Sequence, residues 1–197
     1  MKGDNMSTSQ PLKKKEDIQK LKNYFYSKGQ YRNYVLIIMG LNTALRISDL
    51  LQIKWRDVYD EKKQYFFSHI YLVEKKTKKE NYIMLNSAVK EALLKYKKTL
   101  TNYSKDDYIF TNSRTKDLPI SRVQAYRIIK KAVSDLDLNT HISCHSLRKT
   151  FGYQAWKAGT EPALLMMIFN HSSYHVTKRY LCIDQEDKDK LFMKLNL

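Results

Sequence analysis

Six polar side chains spread along this 197-residue sequence have the types needed for chemistry on a phosphate ester. A guanidinium binds phosphate oxygens through paired N–H groups, an imidazole moves protons near neutral pH, and a phenol can act as a nucleophile. The six are Arg46, Lys76, His145, Arg148, His171 and Tyr180. Because they span most of the chain, only the fold could bring them together.

Each of these residues, taken alone, has a simpler explanation. His145 and Arg148 are three positions apart and would share one face of a helix, but many helices begin with polar residues. His171 and Tyr180 are nine positions apart in a chain that contains 15 tyrosines. Arg46 stands between two apolar residues and needs an anionic partner, which could be a phosphate or simply Asp49 one turn later.

The net charge points to a polyanionic partner. Lysine and arginine number 36 against 20 acidic residues, the formal charge is +16 and the pI is about 9.7. Such an excess favours nucleic acid, although a merely lysine-rich protein would share it. Two cysteines are too few for a disulfide scaffold. The N-terminal residues have no apolar signal segment, and no run is long enough to span a membrane, so we expect a cytoplasmic protein.

The spacing of apolar residues predicts an α+β fold that is mainly α with a small antiparallel β-sheet. Residues 1–12 are predicted to form a flexible tail, and residues 13–197 a single domain. Within that domain, residues 13–183 would be the core, and residues 184–197 a C-terminal helix that packs on its own domain or on a neighbouring protomer. Helices are predicted over residues 15–26, 31–41, 47–53, 87–100, 121–136, 145–157, 162–169, 176–182 and 186–195, with Ser87 and Ser121 as the N-terminal caps of the fourth and fifth.

A β-hairpin with a cationic turn is predicted in the first half of the chain. Residues 65–73 and 82–85 are rich in aromatic and β-branched residues, and the polar segment 74–80 lies between them. Its lysines are Lys75, Lys76, Lys78 and Lys79. They could be a solvated turn, or the mobile tip of a hairpin that reaches into a DNA groove.

Four segments together carry a stronger signal than the single residues. Their order along the chain resembles the motif order of the tyrosine recombinases, the phage integrase family. The segments are Thr43-Ala-Leu-Arg-Ile-Ser-Asp-Leu-Leu51, Lys76-Thr-Lys-Lys-Glu-Asn-Tyr-Ile-Met-Leu85, His145-Ser-Leu-Arg-Lys-Thr-Phe151, and Asn170-His-Ser-Ser173 followed by Thr177 and Tyr180.

The chain departs from the family pattern at three positions. Ala44 and Asn170 stand where the family commonly has glycine, and Asp49 stands where it commonly has glutamate. Asparagine tolerates the left-handed conformation for which glycine is used at a helix end, so the turn at Asn170 should persist. Only a short leader precedes Arg46, so the chain is similar to small invertase-like members without the N-terminal DNA-clamping domain.

The resemblance implies the tyrosine recombinase catalytic-domain fold and DNA strand exchange through a covalent 3′-phosphotyrosyl intermediate. Tyr180 would be the nucleophile, Arg46 and Arg148 would neutralise the phosphate, and His145 would accept the phenol proton. Lys76 would protonate the departing 5′-oxygen, and His171 would hydrogen-bond the phosphate. No metal and no other cofactor is implied.

The partner implied is double-stranded DNA, bound by a homotetramer that is a monomer or a weak oligomer when free. Accessory DNA-bending or clamp proteins could assist. Candidate DNA contacts are Lys75, Lys78 and Lys79 in the hairpin and Arg122, Gln124, Arg127, Lys130 and Lys131 on the 121–136 helix, whose basic face could equally be solvated.

Two other functions use the same residues. A type IB-like topoisomerase has much the same catalytic set but relaxes supercoils without exchanging partners. A non-catalytic DNA-binding regulator of the same fold would have no chemical need for all six residues. A zinc site at His141, Cys144 and His145 lacks a fourth ligand at suitable spacing.

Overall fold

The computed structural model describes residues 9–115, 117–138 and 141–195. Most of these residues are helical, as the apolar spacing predicts. The helices are α1 (Lys15–Ser27), α2 (Tyr31–Asn42), α3 (Ile47–Leu50), α4 (Ser87–Lys97), α5 (Arg122–Asp135), α6 (Cys144–Lys157), α7 (Pro162–Ile168), α8 (Tyr174–Leu181) and α9 (Gln185–Lys194), with a 3-10 turn at Trp55–Asp57.

The β-strands in this described part of the chain form two small antiparallel sheets. Strand β1 (Tyr59–Asp60) pairs with β2 (Tyr65–Phe66), and β3 (His69–Val73) pairs with β4 (Glu80–Met84). The predicted single strand over residues 65–73 is thus divided. Its first part turns back on the 3-10 segment, where the Phe67 amide donates to the Val58 carbonyl, and its second part forms the predicted hairpin.

Helix α2 lies at the centre of the domain. Six consecutive residues, Val35 to Gly40, are buried, which is the pattern of a helix covered on all sides. It packs against α1, α4 and α6. A β-carbon added at Gly40 would lie 2.6 Å from Leu147 Cδ1, so glycine permits the close approach of α2 to α6. This approach brings the residues after α2 next to the residues at the start of α6.

Local signals placed several helix ends correctly and missed two. Ser121 caps α5, as predicted, and accepts from the Gln124 amide at 3.1 Å. Helix α4 is capped by Asn86, so the prediction that Ser87 is the cap was wrong by one residue. The predicted 47–53 helix ends at Leu50, where a turn at Leu51 and Gln52 follows. Beyond this turn the chain pairs with a distant segment: Lys54 bridges Tyr108, and the Ile109 amide donates to the Ile53 carbonyl.

The chain before α1 is packed against the domain, at least from residue 9. Leu12 is buried, and its amide donates to Thr150 Oγ1 at 2.8 Å. The prediction of a tail over residues 1–12 is therefore wrong for residues 9–12, because an apolar residue and a buried hydrogen bond hold this segment on α6. The remainder of the predicted tail, residues 1–8, lies outside the described residues.

The first turn of α9 is held on the same domain. Lys13 forms ion pairs with Asp184 at 2.7 Å and with Asp187 at 2.8 Å, and the Tyr153 hydroxyl donates to Asp187 at 2.5 Å. The apolar residues farther along the helix are exposed: Leu191, Phe192, Met193 and Leu195.

Candidate active site

The main chain holds the Arg148 guanidinium in a fixed position. Arg148 lies one turn into α6 and is only 2% exposed. Its Nη1 donates to the Ala44 carbonyl, and its Nη2 donates to the Phe169 carbonyl at 2.8 Å. Both carbonyls belong to turns with a left-handed residue, Ala44 itself at φ 54° and Asn170 at φ 52°. The predicted left-handed turn at Asn170 is confirmed, and these two turns explain how carbonyls from distant segments converge on one arginine.

Arg46 pairs with an acid from the hairpin. Its Nη1 lies 2.5 Å from Glu74 Oε2, so the alternative pairing with Asp49 does not occur. Asp49 instead accepts from the Lys75 amide at 3.1 Å. The other Asp49 oxygen is buried without a hydrogen-bond partner among the described residues. Both acids therefore connect the Arg46 segment to the base of the hairpin turn.

Tyr180 lies inside an aromatic cluster with both histidines. Its ring centroid is 5.0 Å from that of His145, 5.0 Å from that of His171 and 4.9 Å from that of Phe169, with steep interplanar angles to the histidines. Its hydroxyl is buried and lies near the Arg148 side chain. Burial raises the pKa of Tyr180 to about 12, although the nearby Arg148 charge opposes this shift. The phenol is therefore protonated at neutral pH and needs a base to become a nucleophile.

Both histidines of the cluster are neutral at pH 7. Burial lowers the pKa of His145 to about 4, with further lowering by the charges of Lys149, Arg148 and Arg46. Burial and the two arginines likewise lower the pKa of His171 to about 4. Nδ1 of His171 lies 3.0 Å from Thr177 Oγ1, which sets the orientation of the ring. Neutral imidazoles can accept a proton or hydrogen-bond a phosphate.

The shared electrostatics place five of the six predicted residues in one site. The charges of Arg46 and Arg148 both act on His145, His171 and Tyr180. The sixth residue, Lys76, is exposed on the turn between β3 and β4. Among the described residues, none hydrogen-bonds or pairs with its amine. The structure therefore does not bring Lys76 into contact with the other five.

The predicted DNA contacts lie on two separate surfaces. Lys75, Lys78 and Lys79 are exposed on the same turn as Lys76. On α5, Arg122 and Arg127 are exposed, whereas Gln124 is engaged in the helix cap through the Ser121 amide at 2.7 Å. Lys130 is half-buried on the same helix, and Lys131 pairs with Asp135 at 3.3 Å. The assignment of these residues to DNA binding stays a prediction.

Two charged residues of the site were not predicted from the sequence. Glu74 is fully buried, and its signal was the strand period, since Ile70, Leu72 and Glu74 alternate along the inward face of β3. Lys149 is 4% exposed, and its Nζ donates to the Ser9 carbonyl at 2.8 Å and lies 5.7 Å from the Tyr180 ring centroid. Lys149 follows Arg148 directly, but no local pattern indicated its burial.

Neither a metal centre nor a membrane span was found in the part of the chain that the structure describes. No group of three or more His, Cys, Asp and Glu side chains there could hold a metal ion. No helix there is long and apolar enough to cross a membrane.

A helix-rich fold with two small antiparallel sheets of this kind is that of the tyrosine recombinase catalytic domain. The sequence profile described as the phage integrase family matches residues 12–187. The chain therefore belongs to the phage integrase family.

Three bacterial proteins are similar to this chain in sequence, and two of them carry recombinase names. The probable integrase/recombinase YoeC of Bacillus subtilis (strain 168) is 39% identical over 181 residues, which are 92% of this chain and 93% of that protein. The type 1 fimbriae regulatory protein FimE of Escherichia coli (strain K12) is 28% identical over 152 residues, which are 76% of this chain and 73% of FimE. A tyrosine recombinase of Agathobacter rectalis is 26% identical and is matched over only 55% of its length.

Solved structures share the fold. The XerA recombinase has a TM-score of 0.76 and 19% identity, over 96% of this chain and 67% of the XerA chain. The XerH recombinase bound to palindromic difH substrate, a post-cleavage complex, has a TM-score of 0.72 and 17% identity, over 96% of this chain and 53% of the XerH chain. At these identities the likeness concerns the fold alone.

Proposed function

We propose that this protein is a site-specific DNA recombinase that breaks and rejoins DNA through a 3′-phosphotyrosyl intermediate at Tyr180. The observation that carries the proposal is the position of the Tyr180 ring against His145 and His171, within the field of both arginines. Relatives named integrases and recombinases support the same assignment. The protein would act in the cytoplasm, as a single catalytic domain.

The chemistry follows from the charges around the phosphate. The Tyr180 oxygen attacks the phosphorus, the bond to the 5′-oxygen breaks, and the 3′-phosphate stays on the tyrosine. Arg46 and Arg148 neutralise the extra negative charge of the transition state as preorganised cations. His145 takes the phenol proton, and His171 donates to a non-bridging oxygen. Religation is the reverse attack by a 5′-hydroxyl, so the energy of the phosphodiester bond is conserved and no cofactor is required.

Bound DNA should make His145 a stronger base. An imidazole with a pKa near 4 is a weak base, but a bound phosphate places negative charge beside it. Opposite charge favours the protonated imidazole, so DNA binding raises the pKa of His145 toward neutrality, where proton transfer is most efficient. The base thus gains strength when the substrate is in place.

Lys76 would join the site only when the hairpin turn closes on DNA. Its amine would protonate the departing 5′-oxygen as a general acid. The exposed lysines of the turn, Lys75, Lys78 and Lys79, would contact the DNA backbone, and Arg122, Gln124, Arg127, Lys130 and Lys131 would provide a second contact surface on α5. The active assembly would be a homotetramer on double-stranded DNA. Accessory DNA-bending or clamp proteins would assist where the chain's own affinity for DNA is insufficient.

The test is covalent attachment to a nicked suicide substrate, followed on a denaturing gel. Wild-type protein should form a protein–DNA adduct, and Tyr180→Phe should form none while its DNA affinity stays near the wild-type value. Tyr174→Phe is the matched control, because Tyr174 is an exposed tyrosine on the same helix and should leave adduct formation unchanged.

Two results would redirect the assignment. An adduct formed by Tyr180→Phe would refute the nucleophile, and DNA binding without any adduct from wild-type protein would indicate a non-catalytic regulator. Relaxation of supercoiled plasmid without strand exchange between two target sites would indicate a topoisomerase.

A further inference from the structure

Glu74 is a fully buried acid at the end of β3, where the hairpin turn begins. Its Oε2 accepts from Arg46 Nη1 at 2.5 Å and from Thr77 Oγ1 at 2.7 Å. Its Oε1 accepts from Asn81 Nδ2 at 3.2 Å. Both oxygens of this carboxylate are therefore used, and all its partners donate hydrogen bonds.

The partners of Glu74 belong to two segments that carry site residues. Arg46 is itself one of the six, and Thr77 directly follows Lys76. Burial alone would raise the pKa of the Glu74 carboxyl, but the Thr77 hydrogen bond, the Arg46 charge and the Asn170 side chain outweigh it and lower the pKa. The carboxylate is thus ionised at neutral pH and accepts hydrogen bonds from both segments.

Glu74 places a negative charge beside an arginine of the candidate phosphate site, where an acid is not expected if the site serves only to bind phosphate. A negative charge next to Arg46 reduces the attraction between Arg46 and a phosphate. A buried carboxylate in this position is therefore unfavourable for DNA affinity, and its benefit has to lie in geometry. Arg46 uses Nη1 for Glu74, which leaves its other N–H groups for the substrate.

We propose that Glu74 is a positioning residue for the strand-cleavage reaction, which orients Arg46 toward the phosphate and, through Thr77, holds the Lys76 turn next to Arg46. The inference rests on the proposed recombinase function. Through Arg46 it acts on the charge of the transition state, and through the turn it acts on protonation of the leaving group. Two catalytic contributions from distant segments are in this way coupled by one side chain.

The experiment compares Glu74→Gln and Thr77→Val with wild-type protein. The first removes the charge and keeps the shape, and the second removes only the hydroxyl donor and leaves the Arg46–Glu74 pair. Glu80→Gln is the matched control, since Glu80 is an exposed acid on the same hairpin. Each variant is assayed for DNA affinity, for thermal stability, and for single-turnover adduct formation on a normal substrate and on one with sulfur in place of the 5′-bridging oxygen.

A thiolate leaves without a proton, so the sulfur substrate bypasses the general acid. Because misplacement of catalytic groups by about 1 Å can cost about 100-fold in rate, we expect Glu74→Gln to slow adduct formation on the normal substrate by about 10- to 100-fold. Glu74→Gln should bind DNA as tightly as the wild-type protein does, or more tightly. The sulfur substrate should fully restore Thr77→Val and only partly restore Glu74→Gln, whose Arg46 is also misaligned.

Several outcomes overturn the inference. A wild-type cleavage rate for Glu74→Gln would contradict it. An equal loss of cleavage rate on both substrates for Thr77→Val would also contradict it. If Glu74→Gln does not fold, the comparison of the two substrates with Thr77→Val tests the inference by itself. A loss of stability would slow cleavage of both substrates equally, whereas a misplaced general acid slows only the normal one. If wild-type protein itself forms no adduct, the proposed function fails, which differs from an unaffected Glu74 variant in a protein that does form one.

Discussion

Gly152 packs directly against a residue that supports the active site. It lies in α6, one turn after Arg148, and faces α7 and α8. A β-carbon built there would be 2.6 Å from Phe169 Cζ, 2.8 Å from Phe169 Cε2 and 3.0 Å from Leu181 Cδ2. Phe169 is buried, its carbonyl holds Arg148, and its ring packs against Tyr180. Gly152→Ala should therefore displace the residue that supports both the arginine and the nucleophile.

Two opposing effects determine how much Gly152→Ala changes the free energy of unfolding. Adding a methyl group to a tightly packed core costs about 1–3 kcal/mol. Replacing glycine by alanine inside a helix recovers up to about 1 kcal/mol. With the full recovery, the net loss in the free energy of unfolding should be about 0–2 kcal/mol. At about 2–4 °C per kcal/mol for a domain of this size, the melting temperature should fall by up to about 8 °C. Adduct formation should slow more than this loss of stability explains, because Phe169 shifts.

A double-mutant cycle with Phe169→Leu tests this reasoning. Leucine lacks the ring atoms that the new methyl group would strike, so the double variant should be more stable than the sum of the two single effects implies. Stabilities come from chemical denaturation, and adduct rates from the suicide substrate. Strict additivity, or a Gly152→Ala protein with wild-type stability and cleavage, would refute the argument.

Two further predictions concern the turn at Asn170 and the titration of the histidines. Asn170→Ala should lose about 1–2 kcal/mol, because alanine is strained at φ 52°, whereas Asn170→Gly should be stable at that turn. Equal unfolding free energies for the two variants in denaturant would contradict the role of the left-handed conformation. For His145 and His171 the folded pKa of about 4 lies below the unfolded value of about 6.5, so the unfolded chain binds protons first and stability falls as pH drops from about 6.5 to 4. Denaturant unfolding between those pH values measures this slope, and His145→Gln should reduce it; an unchanged slope would show that the imidazole is not held neutral by the fold.

Much of the architecture could be predicted from local patterns. Apolar spacing indicated eight of the nine helices in the described residues nearly to their ends, and polar residues between two β-branched segments indicated the hairpin. The errors occur where distant segments compete with local propensity. The helix after Arg46 ends early because residues 53 and 54 pair with residues 108 and 109, and residues 9–12 are ordered by a buried contact with α6.

The sequence by itself determined which side chains are available to a catalytic site and their order along the chain. It also determined the i, i+3 placement of His145 and Arg148, because a helix places residues three apart on one face whatever surrounds it. Such local geometry depends only on neighbouring residues, and so it could be inferred before the structure was known.

Only the tertiary structure decided the partners of those side chains. Arg46 pairs with Glu74 rather than Asp49, Arg148 is held by two carbonyls from turns far away in the chain, and Lys76 lies apart from the site. The physical reason is that a buried charge takes the partner that packing brings within hydrogen-bond distance, and packing depends on the whole chain. Arg46 and Arg148 come together because α2 and α6 approach closely at Gly40, and that approach is a property of the fold.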